Sequence, residues 1–170
     1  MLSKSFRTFA LAHAGGNKVG FIGLGNMGLP MSVNLRKNGF DVKGFEIGQI
    51  QKKAAAEAGT PVVDSIREAV EDADWIITAL PKTEHVLEVL TQKGGIFECA
   101  KKGTFILDVS TISPVASAQF NEAAAKIGLV FMDSPMSGGT PGATAGTLSF
   151  MVGGEKEHFE HAKTVLKAMG

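Results

Sequence analysis

What most constrains the fold is an alternation along the chain. From Asn17 on, short apolar runs at 19–24, 42–45, 75–80, 105–109, 129–132 and 148–152 are separated by segments of helical period. Those segments lie at 27–38, 50–58, 65–71, 85–90, 114–127 and 156–169. A run such as Val19-Gly20-Phe21-Ile22 has no polar alternate, as expected of a strand covered on both faces. Strands that alternate with helices pair in parallel, and right-handed crossovers lay the helices over both faces of the sheet. The pattern therefore predicts a doubly wound, Rossmann-type α/β domain over residues 17–170, its sheet mostly parallel. Gly39, Gly59 and Gly128 each follow a predicted helix, where a left-handed residue closes the last turn. No repeat or low-complexity linker marks a further boundary, and 170 residues suit one such core.

Charge removes several function classes. Seventeen basic residues balance seventeen acidic ones, which leaves no field to draw in nucleic acid or a membrane surface. No apolar run approaches the ~20 residues that span a bilayer. The single cysteine, Cys99, rules out an internal disulfide and a cysteine-built metal site, and reads as a small buried apolar residue. Residues 1–16, MLSKSFRTFALAHAGG, stand apart: Lys4 and Arg7 are the only clear charges, and no acid occurs before Asp41. Leu2, Phe6 and Phe9 fall on one helical face with both basic residues off it. A basic, amphipathic, acid-poor start is the composition of a mitochondrial transit peptide, and FALAHA is too short and polar for a secretory h-region. A tail without a role is the alternative.

The first strand runs straight into Gly23-Leu24-Gly25-Asn26-Met27-Gly28, a G-x-G-x-x-G sequence. With 21 glycines in 170 residues, about 0.3 such matches arise by chance, so context must decide. Here a strand precedes, a helix follows, and the next strand ends on an acid, Glu46. That is the dinucleotide-binding arrangement. Gly23 makes the tight turn, Gly25 lets the backbone approach a pyrophosphate, and Gly28 lets helix and strand pack closely. The pyrophosphate would sit on free N–H groups at the positive end of the helix. Pro30 suits the first helical turn, where its missing N–H loses no bond. Asn34 and Arg36 read as solvated helix positions. Glu46 would accept from the adenosine ribose hydroxyls and repel a 2′-phosphate, and no arginine follows it, so the expected cofactor is NAD.

Three stretches in order resemble the 3-hydroxyisobutyrate dehydrogenase family of β-hydroxyacid dehydrogenases: FIGLGNMGLPMSVNL at 21–35, LDVSTISP at 107–114 and FMDSPMSGGTPGATAGTLSFMVGG at 131–154. The likeness runs from Lys18 to the end. It implies an NAD-dependent oxidation of a primary alcohol on a short carboxylic acid to the semialdehyde, for 3-hydroxyisobutyrate a step of valine catabolism. It also implies site residues. Leu80-Pro81 resembles the Leu-Pro pair beside the cofactor, and His85 stands where relatives carry Asn against NAD; the other reading of His85 is a surface residue at a helix start. Thr111 resembles a threonine near the nicotinamide, although a turn or cap hydroxyl would also serve before Ser113-Pro114. Ser137-Gly138-Gly139 resembles the substrate loop, whose amides could form a nest for a carboxylate. Met136 replaces the family's usual valine and Ser134 its usual alanine.

The resemblance places the proton carrier on a lysine of a second, all-helical domain, in a motif ending Lys-x-x-x-Asn. That motif does not occur before the sequence stops with LKAMG at Gly170. The family lysine is therefore expected beyond Gly170, the helical domain is expected to be absent, and this chain alone is expected to hold no catalytic residue and to be inactive. Lys126, Lys156, Lys163 and Lys167 read as solvated charges. His158 and His161 read as surface residues of the last helix, with no third ligand for a metal. The expected partners are NAD and a small carboxylic acid, with a homo-oligomer only in the presence of the helical domain. Tartronate semialdehyde reductase and a non-catalytic dinucleotide-binding module are the alternative functions.

Overall fold

In the computed structural model, which describes residues 16–170, the alternation becomes one six-stranded sheet. In chain order come β1 (Lys18–Ile22), α1 (Gly28–Lys37), β2 (Asp41–Phe45), α2 (Gln49–Glu57), β3 (Val62–Val63) and α3 (Ile66–Val70). Then follow β4 (Trp75–Thr78), α4 (Thr83–Thr91), α5 (Ile96–Cys99), β5 (Phe105–Asp108), α6 (Pro114–Lys126) and β6 (Val130–Asp133). The strand order is β3-β2-β1-β4-β5-β6, with every neighbouring pair parallel. The chain thus winds outward from β1, returns to the centre, and winds outward again from β4. Between β1 and β4 lies the switch point, where sheets of this kind bind ligands at strand carboxyl ends. The predicted leader falls, apart from Gly16, outside the described residues.

Each face of the sheet carries its own core. Phe21, Ile77 and Leu107 point to one side, against Met31 and Leu35 of α1, Ala55 of α2 and Val165 of α8 (Lys156–Leu166). Their strand neighbours Ile22, Ile76 and Ile106 point to the other, against Val70 of α3, Leu90 of α4 and Phe120 of α6. Strand side chains alternate in direction, so apolar residues at every position are what a two-sided core requires. The residues at Gly39, Gly59 and Gly128 have φ of +88°, +77° and +84°, the left-handed closure expected of them.

The end of the chain departs from the alternation. Of the predicted strand at 148–152 only β8 (Ser149–Phe150) forms, and it pairs antiparallel with β7 (Met136–Ser137) in a separate ribbon. A parallel crossover takes roughly a dozen residues or more, and the link from β7 to β8 through α7 (Gly139–Ala145) is shorter. β3, α5 and α7 show no pattern of their own: the first two are a two-residue strand and a single turn, and the third is built from Gly, Thr, Pro and Ala. After α8 the chain makes one more turn, in which the Gly170 N–H donates to the Leu166 carbonyl oxygen at 2.9 Å.

Two residues lie deeper or shallower than their types suggest. His158, expected at the surface, is buried, its ring edge-on to Phe105 with centroids 5.4 Å apart. It shares a helical face with Ala162 and Val165, which turns α8 toward the sheet and takes the imidazole in with it. His161 is half-buried. Cys99, expected in the core, is half-buried at the end of α5, where burial pushes its thiol up. Lys126 and Lys163 fit the solvated reading, pairing with Glu122 and Glu160 on their own helices.

Candidate active site

At the end of β1 the backbone turns sharply into α1. Gly23 has φ +95°, and a Cβ there would come within 2.5 Å of the Ala79 carbonyl oxygen. A Cβ on Gly28 would overlap the carbonyl oxygen of Gly23, so this glycine is what lets helix and strand approach. Gly25 differs from both: a Cβ would meet nothing within 4 Å. The space above it is open, as a bound pyrophosphate would need. Leu24 is buried, while Asn26 is exposed and Met27 occupies the cap position of α1. No side chain caps α1, its first turn carries no acid, and the N–H groups of Gly25, Asn26 and Met27 meet no acceptor among the described residues. Uncapped amides at the positive end of a ten-residue helix suit a phosphate group.

Glu46 follows β2 beside this loop. Its Oε2 accepts from the Leu24 N–H at 2.8 Å, and its Oε1 from the Ile47 and Gly48 N–H groups at 2.8 and 2.9 Å. Three amides hold the carboxylate still, and a carboxylate has about four acceptor sites, so one remains for a ribose hydroxyl.

The other candidates come from the ends of β4, β5 and β6. Leu80 packs its side chain toward Gly23 and donates its N–H to Ser110 Oγ at 2.9 Å; Pro81 after it is exposed. His85 lies half-buried in the first turn of α4, and Thr111 is exposed beyond β5. Ser113, not Thr111, takes the cap position of α6, and its N–H bonds Thr83 Oγ1 at 3.2 Å, which ties the β5 loop to α4. The Gly23–Gly28 loop, Glu46 and Leu80 are therefore in direct contact, with Thr111 joined to them through the loop that begins at Ser110. Ser137-Gly138-Gly139 forms a tight corner. Ser137 ends β7, Gly138 and Gly139 have φ of +132° and +61°, and α7 starts at Gly139. The catalytic lysine expected beyond Gly170 falls outside the described residues.

Some residues that build the site carried no motif. Asn34, expected in solvent, is buried, and its Nδ2 donates to the Ala143 carbonyl of α7 at 2.7 Å. It thereby fastens the helix after the glycine loop to the helix after Ser137-Gly138-Gly139. The only signal was a polar residue one position before Leu35 on the buried side of α1. At the carboxyl ends of β4, β5 and β6 lie Thr78, Asp108, Ser110 and Ser134, all buried. Burial pushes the Asp108 carboxyl up, against the bonds it accepts from Ser110 and Thr78, with the charge of Asp133 adding to the rise. Burial likewise raises Asp133, opposed by its bond with Ser117. Asp108 Oδ2 and Ser134 Oγ have no hydrogen-bond partner among the described residues. Two more absences concern the described residues: no group of three or more His, Cys, Asp or Glu could hold a metal ion, and no helix is long and apolar enough to cross a membrane.

Known proteins share this architecture. Residues 18–170 match the family described as the NAD binding domain of 6-phosphogluconate dehydrogenase. The chain is 44% identical over 152 residues to mouse mitochondrial 3-hydroxyisobutyrate dehydrogenase, covering 89% of this chain and 45% of that protein. It is 41% identical over 153 residues to an NAD-dependent L-serine dehydrogenase of Pseudomonas aeruginosa, covering 90% and 51%. The Mycobacterium tuberculosis 3-hydroxyisobutyrate dehydrogenase, solved with L-serine, superposes with a TM-score of 0.87 at 39% identity, covering 91% of this chain and 52% of that one. The chain spans about half the length of the relatives it matches. With the fold, the glycine loop and these matches in agreement, the chain belongs to the family of the NAD binding domain of 6-phosphogluconate dehydrogenase.

Proposed function

We propose that the chain supplies the NAD-binding half of a mitochondrial 3-hydroxyisobutyrate dehydrogenase that acts in valine catabolism. The observation that carries the cofactor part of this reading is Glu46, held by three backbone N–H groups beside uncapped amides of the glycine loop; the likeness to 3-hydroxyisobutyrate dehydrogenases supports the substrate and location. In it, the amides of Gly25, Asn26 and Met27 hold the pyrophosphate, and Glu46 accepts from the ribose while its negative oxygens disfavour a 2′-phosphate. Leu80, Pro81, His85 and Thr111 flank the nicotinamide end, and Ser137-Gly138-Gly139 takes the substrate carboxylate. When bound, the dinucleotide supplies the hydride acceptor. The residues here hold the cofactor and one end of the substrate in contact; the proton goes to a lysine of the helical domain that the family likeness implies.

Titration calorimetry with both cofactors tests the role of Glu46. NAD is expected to bind more tightly than NADP by ~1–3 kcal/mol, the usual size of an uncompensated charge contact. Equal or tighter NADP binding overturns that role. L-serine, named for one relative, is the rival substrate, because it too carries a primary alcohol beside a carboxylate-bearing carbon. With the chain joined to a helical domain, kcat/KM for 3-hydroxyisobutyrate is expected to exceed those for L-serine and for tartronate semialdehyde; the reverse order replaces the substrate and leaves the cofactor reading intact. A reporter fused to residues 1–16 with a short flank is expected in mitochondria. A cytosolic reporter removes the location alone.

A further inference from the structure

The loops after β4 and β5 carry Leu80 and Thr111, and a buried chain of polar bonds sets one loop against the other. Thr78 Oγ1 donates to Asp108 Oδ1 at 2.8 Å, and the Ser110 N–H donates to the same oxygen at 3.2 Å. The Ser110 hydroxyl donates to the Thr78 carbonyl at 3.4 Å and accepts from the Leu80 N–H at 2.9 Å. One carboxyl oxygen thus grips β4 and the β5 loop together, and the serine it grips reaches on to Leu80.

Packing does not account for this carboxyl. Asp108 is 0% exposed, and its second oxygen is buried without a partner among the described residues. Burying an unpaired polar oxygen costs stability, whereas an apolar side chain of similar size would cost none. A group that weakens the core where it stands needs a reason outside the core.

We propose that Asp108 is a positioning residue for the nicotinamide end of the site: through Ser110 it places Leu80, and through the same loop Thr111, while touching neither cofactor nor substrate. The proposal rests on the cofactor reading above.

NADH and ADP-ribose separate the two. Both make the pyrophosphate and adenosine contacts, and only NADH has a nicotinamide. The wild-type chain is expected to bind NADH more tightly than ADP-ribose. Ser110→Ala and Asp108→Ala are expected to lower NADH affinity about three- to tenfold, the worth of one hydrogen bond, with ADP-ribose affinity unchanged within about twofold. Asp108→Asn keeps the oxygen that accepts from Thr78 and Ser110 and is expected to restore NADH binding. Thermal melts accompany each titration, and should Asp108→Ala fail to fold, Ser110→Ala decides. The proposal is overturned if both ligands weaken alike, if neither weakens, if a folded Asp108→Asn does not recover, or if the wild type holds NADH no better than ADP-ribose. A wild-type chain that binds neither ligand overturns the cofactor reading, and this proposal with it.

Discussion

The glycine loop after β1 and the polar cluster at the ends of β4, β5 and β6 share the carboxyl end of the sheet and are built in opposite ways. In the loop each residue answers to backbone: Gly28 to the carbonyl of Gly23, Gly23 to that of Ala79, Glu46 to three amides. In the cluster the central bond joins two side chains thirty residues apart, Thr78 and Asp108. The loop leaves donors unpaired at the surface, where a ligand reaches them. The cluster leaves acceptors unpaired in the interior, where none does. In the readings proposed above, one is a site and the other holds a site in place.

The largest way to break this comparison is Gly28→Ala, which drives a methyl into a backbone oxygen that cannot move aside. It should destabilise the domain by about 3 kcal/mol in urea unfolding and abolish NADH binding with it. Unchanged stability would contradict the close approach of helix and strand. Next comes Asn34→Asp, which removes the donor to Ala143 and sets a carboxylate against its carbonyl; a loss of about 2 kcal/mol is expected by the same assay. Lys126→Ala, on a solvated face, should stay within about 0.5 kcal/mol. Similar values for the two would return Asn34 to solvent.

Gly25→Ala separates binding from folding. Its methyl meets no protein atom, so the urea midpoint should hold, while NADH affinity falls by about tenfold, or ~1.4 kcal/mol. An affinity left unchanged would take the pyrophosphate away from this residue. Ser134→Ala removes the buried hydroxyl that has no partner among the described residues and should stabilise the domain by about 1 kcal/mol; a loss instead would show that the hydroxyl is bonded.

The smallest effect is one of pH. The carboxyl of Asp108 is raised in the folded state, so its favourable contribution is complete below the ordinary aspartate value of about 3.9 and is lost as pH climbs through the raised value. The melting temperature of Asp108→Asn relative to wild type should therefore increase as pH rises from about 4 toward neutrality. A difference independent of pH would mean that Asp108 is not raised.

How far the sequence could be read follows the same division. The six parallel strands were legible in outline, apart from the two-residue β3, because burial on both faces demands uninterrupted apolar runs. The glycine loop was legible because turn, approach and packing each need a residue without a side chain at a set spacing. Asn34 and His158 were misread for one reason: their types favour water, and only the rotation of α1 and α8 against the sheet turns those positions inward. Position 134 could be seen to differ from its relatives, but not that its hydroxyl would be stranded.

By itself the sequence determined the strand–helix alternation, the helix-closing glycines, the glycine turn after β1 and the acid at the end of β2. Each rests on interactions within one element or between adjoining ones, where local spacing sets the geometry. Only the tertiary structure decided that 148–152 leaves the parallel sheet, that Asn34 ties α1 to α7, and that Asp108 joins the loops after β4 and β5. Those outcomes depend on pairings between residues from about a dozen to more than a hundred positions apart. Such pairings come from how whole helices and strands fill the space between them, and local spacing carries no record of that.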